Sequence, residues 1–141
     1  MARAVREASH GDFDEIAAVR ADALALPFAD GAFDYVACSL FTHHFTDEGV
    51  VRVLREMARV ARRRVFVIDL HRHAVAYFLY TTAGRLLVRS ALVREDGALS
   101  ILRGFVPAEL QRLAERAGLS EVEVRRRFPY RLVLKARARE S

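Results

Sequence analysis

The chain has 141 residues, a formal net charge of +5 and a hydrophobic share of 52%. That is enough chain for one domain with a core, and no apolar run approaches the roughly 20 residues a membrane helix needs. A single cysteine, Cys38, rules out an internal disulfide, and the acids Glu7, Asp12, Asp14 and Glu15 interrupt any secretory pattern, so a cytoplasmic protein is the default expectation. The charge is unevenly placed: residues 1–58 hold five Arg against ten acids, and residues 59–141 hold eighteen Arg and Lys against eight. The arginines are scattered over helix-surface and strand-alternate positions, and Lys135 is the lone lysine. That pattern fits solvated faces better than a nucleic-acid groove.

Taken in order, residues 1–9 carry helical spacing through Ala2, Val5 and Ala8, with no capping residue in front. His10-Gly11-Asp12 reads as its stop. Ile16 to Ala21 reads as a short strand ending at Asp22, and residues 24–32 as a loop with Pro27 and Gly31. Phe33 to Ser39 is a near-continuous apolar run, which predicts a strand buried on both faces. Thr46 to Arg62 predicts a helix: Thr46 caps it, Asp47 and Glu48 favour its positive end, and Val50, Leu54, Met57 and Ala61 form one stripe. Arg62 to Arg64 would close it as cations at the negative end. Val65 to Leu70 predicts a second apolar strand, ending in Asp69. Residues 73–93 form one apolar helical segment that Gly84 can kink, and Gly97 to Gly104 a loop. Pro107 to Ala117 predicts a helix with Pro at its start and Gly118 past its end. Val122 to Phe128 and Arg131 to Ala136 predict an antiparallel hairpin around Pro129-Tyr130. No repeat or low-complexity linker divides the chain, which is expected to be one domain.

Strand, helix, strand at this spacing is a βαβ unit, and parallel strands bring their C-terminal ends to one edge where ligands bind. Asp22, Ser39 to His44, and Asp69 to His73 are all expected there.

The order of motifs resembles the class I S-adenosylmethionine-dependent methyltransferases, in particular the small-molecule branch of ubiquinone/menaquinone-biosynthesis-like enzymes. The matching residues are Ala21-Asp22-Ala23, Leu26-Pro27-Phe28, Asp30, Phe33-Asp34 and His43-His44-Phe45, then the strand ending at Asp69, Phe105 to Leu110, and Ala117-Gly118-Leu119. The resemblance implies an α/β fold: a Rossmann-like sheet, mostly parallel, with a C-terminal antiparallel hairpin. It implies S-adenosyl-L-methionine as cofactor, with Asp22 and Ala23 on the adenine, Leu24 and Phe28 as apolar wall, and Ser39 and Leu40 beside the reacting sulfur. The family begins with a strand and a Gly-rich loop, then a second strand ending in a ribose-binding acid. The sequence contains no G-x-G. The expectation is therefore a domain lacking its first two strands, a fragment or a start assigned at an internal Met.

For the chemistry, His43 and His44 are the candidate catalytic bases, because an imidazole titrates near neutral pH. The alternative is that one packs the loop and the other is solvated. His71 and His73 together with these two lack a closed metal-ligand set, so no metal is expected. Tyr77, Phe78 and Tyr80 form either a lid over an apolar substrate or a packing surface, including a homodimer through residues 73–93. The acceptor is expected to be a small, largely apolar molecule, phenolic, polyketide-like or quinone-like. The competing function is a non-catalytic remnant that binds partners or oligomerises.

Overall fold

The structure is a computed structural model that describes residues 17–87 and 91–138, the side chains of residues 83–96 excepted. The helix expected over residues 1–9, the stop at residues 10–12 and Ile16 lie outside the described residues. Four strands form one sheet in the order β1-β2-β4-β3: β1 Phe33–Ser39, β2 Ala61–Leu70, β3 Ser120–Arg127 and β4 Arg131–Arg137. β1 pairs parallel with β2, and β4 runs antiparallel to both β2 and β3. Three strands thus share a direction and β4 opposes them, which gives the α/β Rossmann-like sheet with a reversed terminal hairpin.

The helices are α1 Asp47–Val60, α2 Ala74–Leu87, α3 Ala91–Arg103 and α4 Pro107–Arg116. α1 and α4 pack on one face of the sheet. Strand alternation explains the core: Val65 and Val67 of β2 and Leu132, Leu134 and Ala136 of β4 all point there. They meet Val50, Val53, Leu54 and Met57 of α1 and Leu110, Leu113 and Ala114 of α4. Thr46 caps α1 by accepting from the Gly49 amide at 3.3 Å, as its sequence position predicts. The β3–β4 hairpin and α4 also match their expected positions within a residue or two.

Four expectations are corrected. Residues 17–21 do not form a continuous strand: only Val19 is in a bridge, and the stretch is exposed. β1 is not buried on both faces. It alternates between exposed and half-buried, with Phe33 41% and Tyr35 58% exposed, because it is the edge of the described sheet and only one of its faces meets a helix. Arg62 to Arg64 do not close α1. β2 starts at Ala61, and the three arginines extend to pair with Asp34 and Glu121, so tertiary partners outweigh the helix-end preference. Residues 97–103 are helix, not loop, and the expected segment 73–93 is divided between α2 and α3. Gly97 misleads because its role is spatial: a Cβ there would fall 2.0 Å from the Tyr80 hydroxyl, so glycine is what lets α2 and α3 approach.

The two faces of β2 and β4 make opposite predictions. Leu134→Ala should cost about 2–5 kcal/mol in chemical denaturation. Ile68→Ala, on the face where Ile68 is 39% exposed, should cost clearly less. Equal losses would mean that the second face is also packed.

Candidate functional site

The site grows from the C-terminal ends of β1 and β2. β2 ends at Asp69, whose side chain is fully buried. A buried carboxylate costs several kcal/mol unless hydrogen bonds replace its water. Here five donors do so. Oδ2 accepts from the Thr42 amide at 2.8 Å, the Thr42 hydroxyl at 2.5 Å and the His43 amide at 3.2 Å. Oδ1 accepts from the Leu70 amide at 2.8 Å and faces His43 Nδ1 at 2.6 Å. Since a carboxylate only accepts, Nδ1 is the donor in this contact, and in the neutral form of the ring Nε2 then holds the lone pair. No buried side-chain nitrogen or oxygen among the described residues lacks a partner, and Nε2 has none there, so solvent reaches it. His44 is exposed and lies against the His43 ring, with centroids 4.1 Å apart.

The chain reaches this turn through Leu40, which has φ 52°. A left-handed conformation is unusual for a leucine and is held from both sides: the Leu40 amide donates to the Ile68 carbonyl at 2.8 Å, and Asp69 captures Thr42 and His43.

Beside β1 lies an apolar trough of about 230 Å3. Ala23 and Phe28 line one side, Met57 of α1 another, and Phe33, Ala37 and Cys38 the strand side. Phe28 and Phe33 meet edge to face, 4.9 Å apart. Asp22 opens a turn in which Ala25 donates back to the Asp22 carbonyl at 3.1 Å. The Asp22 Oδ1 atom accepts from the Leu24 amide at 2.9 Å, while Oδ2 and the Ala23 amide have no partner among the described residues.

The loop over residues 26–31 is held by two residues of α1. Arg59 donates to the carbonyls of Leu26 and Phe28 and to Asp30, and it is gripped in turn by Glu56. Glu56 also accepts from the Leu26 amide at 3.0 Å. The Arg59 guanidinium holds the Glu56 carboxyl below the usual carboxylate range. Cys38 lies between the trough and Asp69. Burial, with the nearby Asp69 charge, pushes its thiol up to about 12. His71 is pulled below the ordinary histidine value, by burial first and then by Arg126 and His73.

Of the residues singled out from sequence, Ala23 and Phe28 line the trough and Asp22 sits at its turn. Leu24 instead packs against the core, and Ser39 and Leu40 lead from β1 to the histidine turn. His43 is buried beside Asp69, and His44 is exposed. His71 and His73 contact each other and Tyr130: the His71 amide donates to the Tyr130 carbonyl, the His71 and His73 rings are 5.4 Å apart, and the His73 and Tyr130 rings 5.5 Å. Among the described residues no three His, Cys, Asp or Glu side chains gather as a metal set. The sequence reading passed over Thr42, Glu56 and Arg59. The signal for the last two was present, since Glu56 and Arg59 are oppositely charged i,i+3 neighbours on α1.

Comparison with known proteins decides the family. A model of the methyltransferase domain matches residues 1–76. The chain belongs to this family, the class I S-adenosylmethionine-dependent methyltransferases. It is 30% identical over 122 residues to the ubiquinone/menaquinone biosynthesis C-methyltransferase of Hahella chejuensis, covering 78% of this chain and 48% of the relative. Among solved structures, a SAM-dependent methyltransferase from Aquifex aeolicus superposes with a TM-score of 0.57 at 16% identity, covering 85% of this chain and 53% of that one. Human N-acetylserotonin methyltransferase in complex with SAM gives 0.57 at 12% identity, covering 85% and 33%. At such identities the structures establish the fold. The chain spans about half the length of the curated relative it matches. No helix among the described residues is long and apolar enough to cross a membrane.

Asp69→Asn places an amide where five donors converge. It should cost about 3 kcal/mol or more in denaturant unfolding, and a loss below about 1 kcal/mol would show that the turn does not depend on the carboxylate. Cys38 should resist iodoacetamide in the folded protein at about pH 8.5, where a free cysteine is half thiolate, and react after unfolding. Rapid labelling of the native state would contradict its burial.

Proposed function

We propose that the chain, taken as a single methyltransferase domain, takes part in S-adenosylmethionine-dependent methyl transfer to a small, largely apolar acceptor. The observation that carries this reading is the pairing of an apolar trough along the edge of β1 with an imidazole held by a buried carboxylate at the exit of the same strand. The residues present fit the adenine end of the cofactor. The trough is narrow and apolar and has aromatic rings at Phe28 and Phe33. The free Asp22 oxygen can accept from an exocyclic amine, and the Ala23 amide can donate to a ring nitrogen. When bound, the cofactor supplies an electrophilic methyl on a sulfonium. The chain's part is to position the partners and move a proton. Asp69 fixes the His43 ring with Nε2 outward, and Nε2 accepts the proton of an acceptor hydroxyl or acidic carbon as the methyl is taken. His44 lines the solvent side of the same turn.

The exposed apolar side chains of α2, Val75, Tyr77, Phe78 and Leu79, support an apolar acceptor. They would cover it as it approaches the turn. A homodimer through the same helix would bury the same side chains, and light scattering separates the two.

Titration of the chain with S-adenosylhomocysteine by calorimetry tests the cofactor half. Saturable heat is expected, weakened by Ala23→Pro, which removes the one donor while keeping a turn position that proline tolerates. His43→Ala should leave that binding intact and lower kcat on a phenolic acceptor by about a hundredfold or more. Absence of heat at millimolar ligand would instead favour a partner-binding module.

A further inference from the structure

A second hollow, of about 240 Å3, opens between the start of α1, the end of α3 and α4. It shares no lining residue with the trough beside β1. Its apolar lining is Phe45, Phe105 and Leu113, and four guanidinium groups stand around it against the carboxylates of Asp47 and Glu109. Two of the four are committed. Arg72 pairs with Glu109 at 2.5 Å and donates to the Gly104 carbonyl at 3.2 Å, and Arg116 reaches Glu48 at 3.5 Å. Arg103 and Arg112 have no carboxylate partner among the described residues, and Arg112 donates only to the Ala108 carbonyl of its own helix.

The walls are fixed. A Cβ on Gly104 would lie 2.7 Å from the Leu70 carbonyl oxygen, so the end of α3 that carries Arg103 is drawn tightly onto the end of β2. The Arg72–Glu109 pair ties that junction to the first turn of α4. Counting Glu48, which pairs with Arg116, three carboxylates stand against four guanidinium groups, so the concave, partly apolar hollow keeps a small net positive charge. The planar guanidinium forks match the two oxygens of a carboxylate or phosphate. Arg103 and Arg112 are exposed at the rim of the hollow, whose volume of about 240 Å3 is large enough for a substituted ring.

We propose that this hollow binds a small organic anion: an aromatic or short apolar body carrying a carboxylate or a phosphate ester. The oxyanion lies between Arg103 and Arg112, and the body rests on Phe45, Phe105 and Leu113. The site is separate from the trough and from His43, so it stands whether or not the chain transfers methyl groups.

Benzoate, phenyl phosphate and inorganic phosphate are titrated into the full chain and followed by calorimetry and amide chemical shifts. One of the two aromatic probes should bind saturably with a Kd of about 1 mM or tighter, and the preferred one identifies the carboxylate or the phosphate ester as the source. The double variant Arg103→Ala, Arg112→Ala should weaken that binding at least tenfold. Both side chains are exposed, and circular dichroism checks that the variant is folded. No saturation by about 10 mM, or equal affinity in wild type and variant, overturns the site. Inorganic phosphate binding as tightly as phenyl phosphate overturns the role of the apolar lining.

Discussion

The Asp69 carboxylate is the constraint on which the rest of the site depends. It lies at the end of a central strand with no solvent contact and accepts five hydrogen bonds. Three of those donors, the Thr42 amide and hydroxyl and the His43 amide, belong to the turn that leaves β1. The carboxylate therefore does what a further stretch of parallel ladder would do, joining the exit of β1 to the exit of β2 after the strands have stopped pairing. Its desolvation is tolerable only because five donors surround it, and Leu40 accepts a left-handed backbone at the turn that supplies most of them. His43 gains a fixed orientation from an interaction that the fold needs in any case.

The same constraint propagates to the trough. Four residues after His44, α1 is under way, and its start is set by the turn that Asp69 holds. Three turns along, Glu56 and Arg59 reach back over the loop at residues 26–31 and bind three of its backbone groups. Leu26 and Phe28 are thereby pinned as walls of the trough. The loop contributes few apolar contacts of its own, so charge-assisted bonds from the helix do the positioning that packing does elsewhere. One helix serves both halves of the site, its N-terminus following the histidine turn and its last turns gripping the loop at residues 26–31.

Much of this was legible in the sequence where a local rule agreed with the global one. The Thr46 cap, the Val50–Leu54–Met57 stripe, Pro107 at the start of α4 and the hairpin around Pro129-Tyr130 each follow from residue chemistry that tertiary packing did not override. The failures have physical causes. Apolar content made β1 read as fully buried, but composition cannot tell a central strand from an edge, because that depends on which strands stand beside it. Arg62 to Arg64 obeyed the helix-end preference on paper and lost to Asp34 and Glu121, partners that only the sheet register brings near. Gly97 read as a turn because a glycine's permissiveness looks the same whether it frees a dihedral or makes room for a neighbouring ring. Of the site, the histidines were visible as unusual residues after a strand end, and Asp22 as an acid at the head of a turn, although the strand expected before it is not there. That Asp69 belongs to His43 was not, since a separation of 26 residues carries no periodic signal.

The two halves of the site do not depend on their surroundings equally. The Asp69–His43 pair is internal: every partner it needs lies in β2 and the turn that follows β1. The trough is not. Its strand side includes Val36 and Cys38 from one face of β1 and Phe33 and Ala37 from the other. A hollow lined by both faces of one strand must wrap that strand's edge, and this edge carries unpaired backbone donors and acceptors among the described residues. A strand laid along it at the usual spacing of about 4.8 Å would stand directly in front of the trough and become its outer wall. The depth of the trough therefore depends on what stands along the edge of β1, whereas the orientation of His43 is set by β2 and the turn that follows β1. The trough and the Asp69–His43 pair are thus separable features of this sheet, the first governed by its edge and the second by its centre.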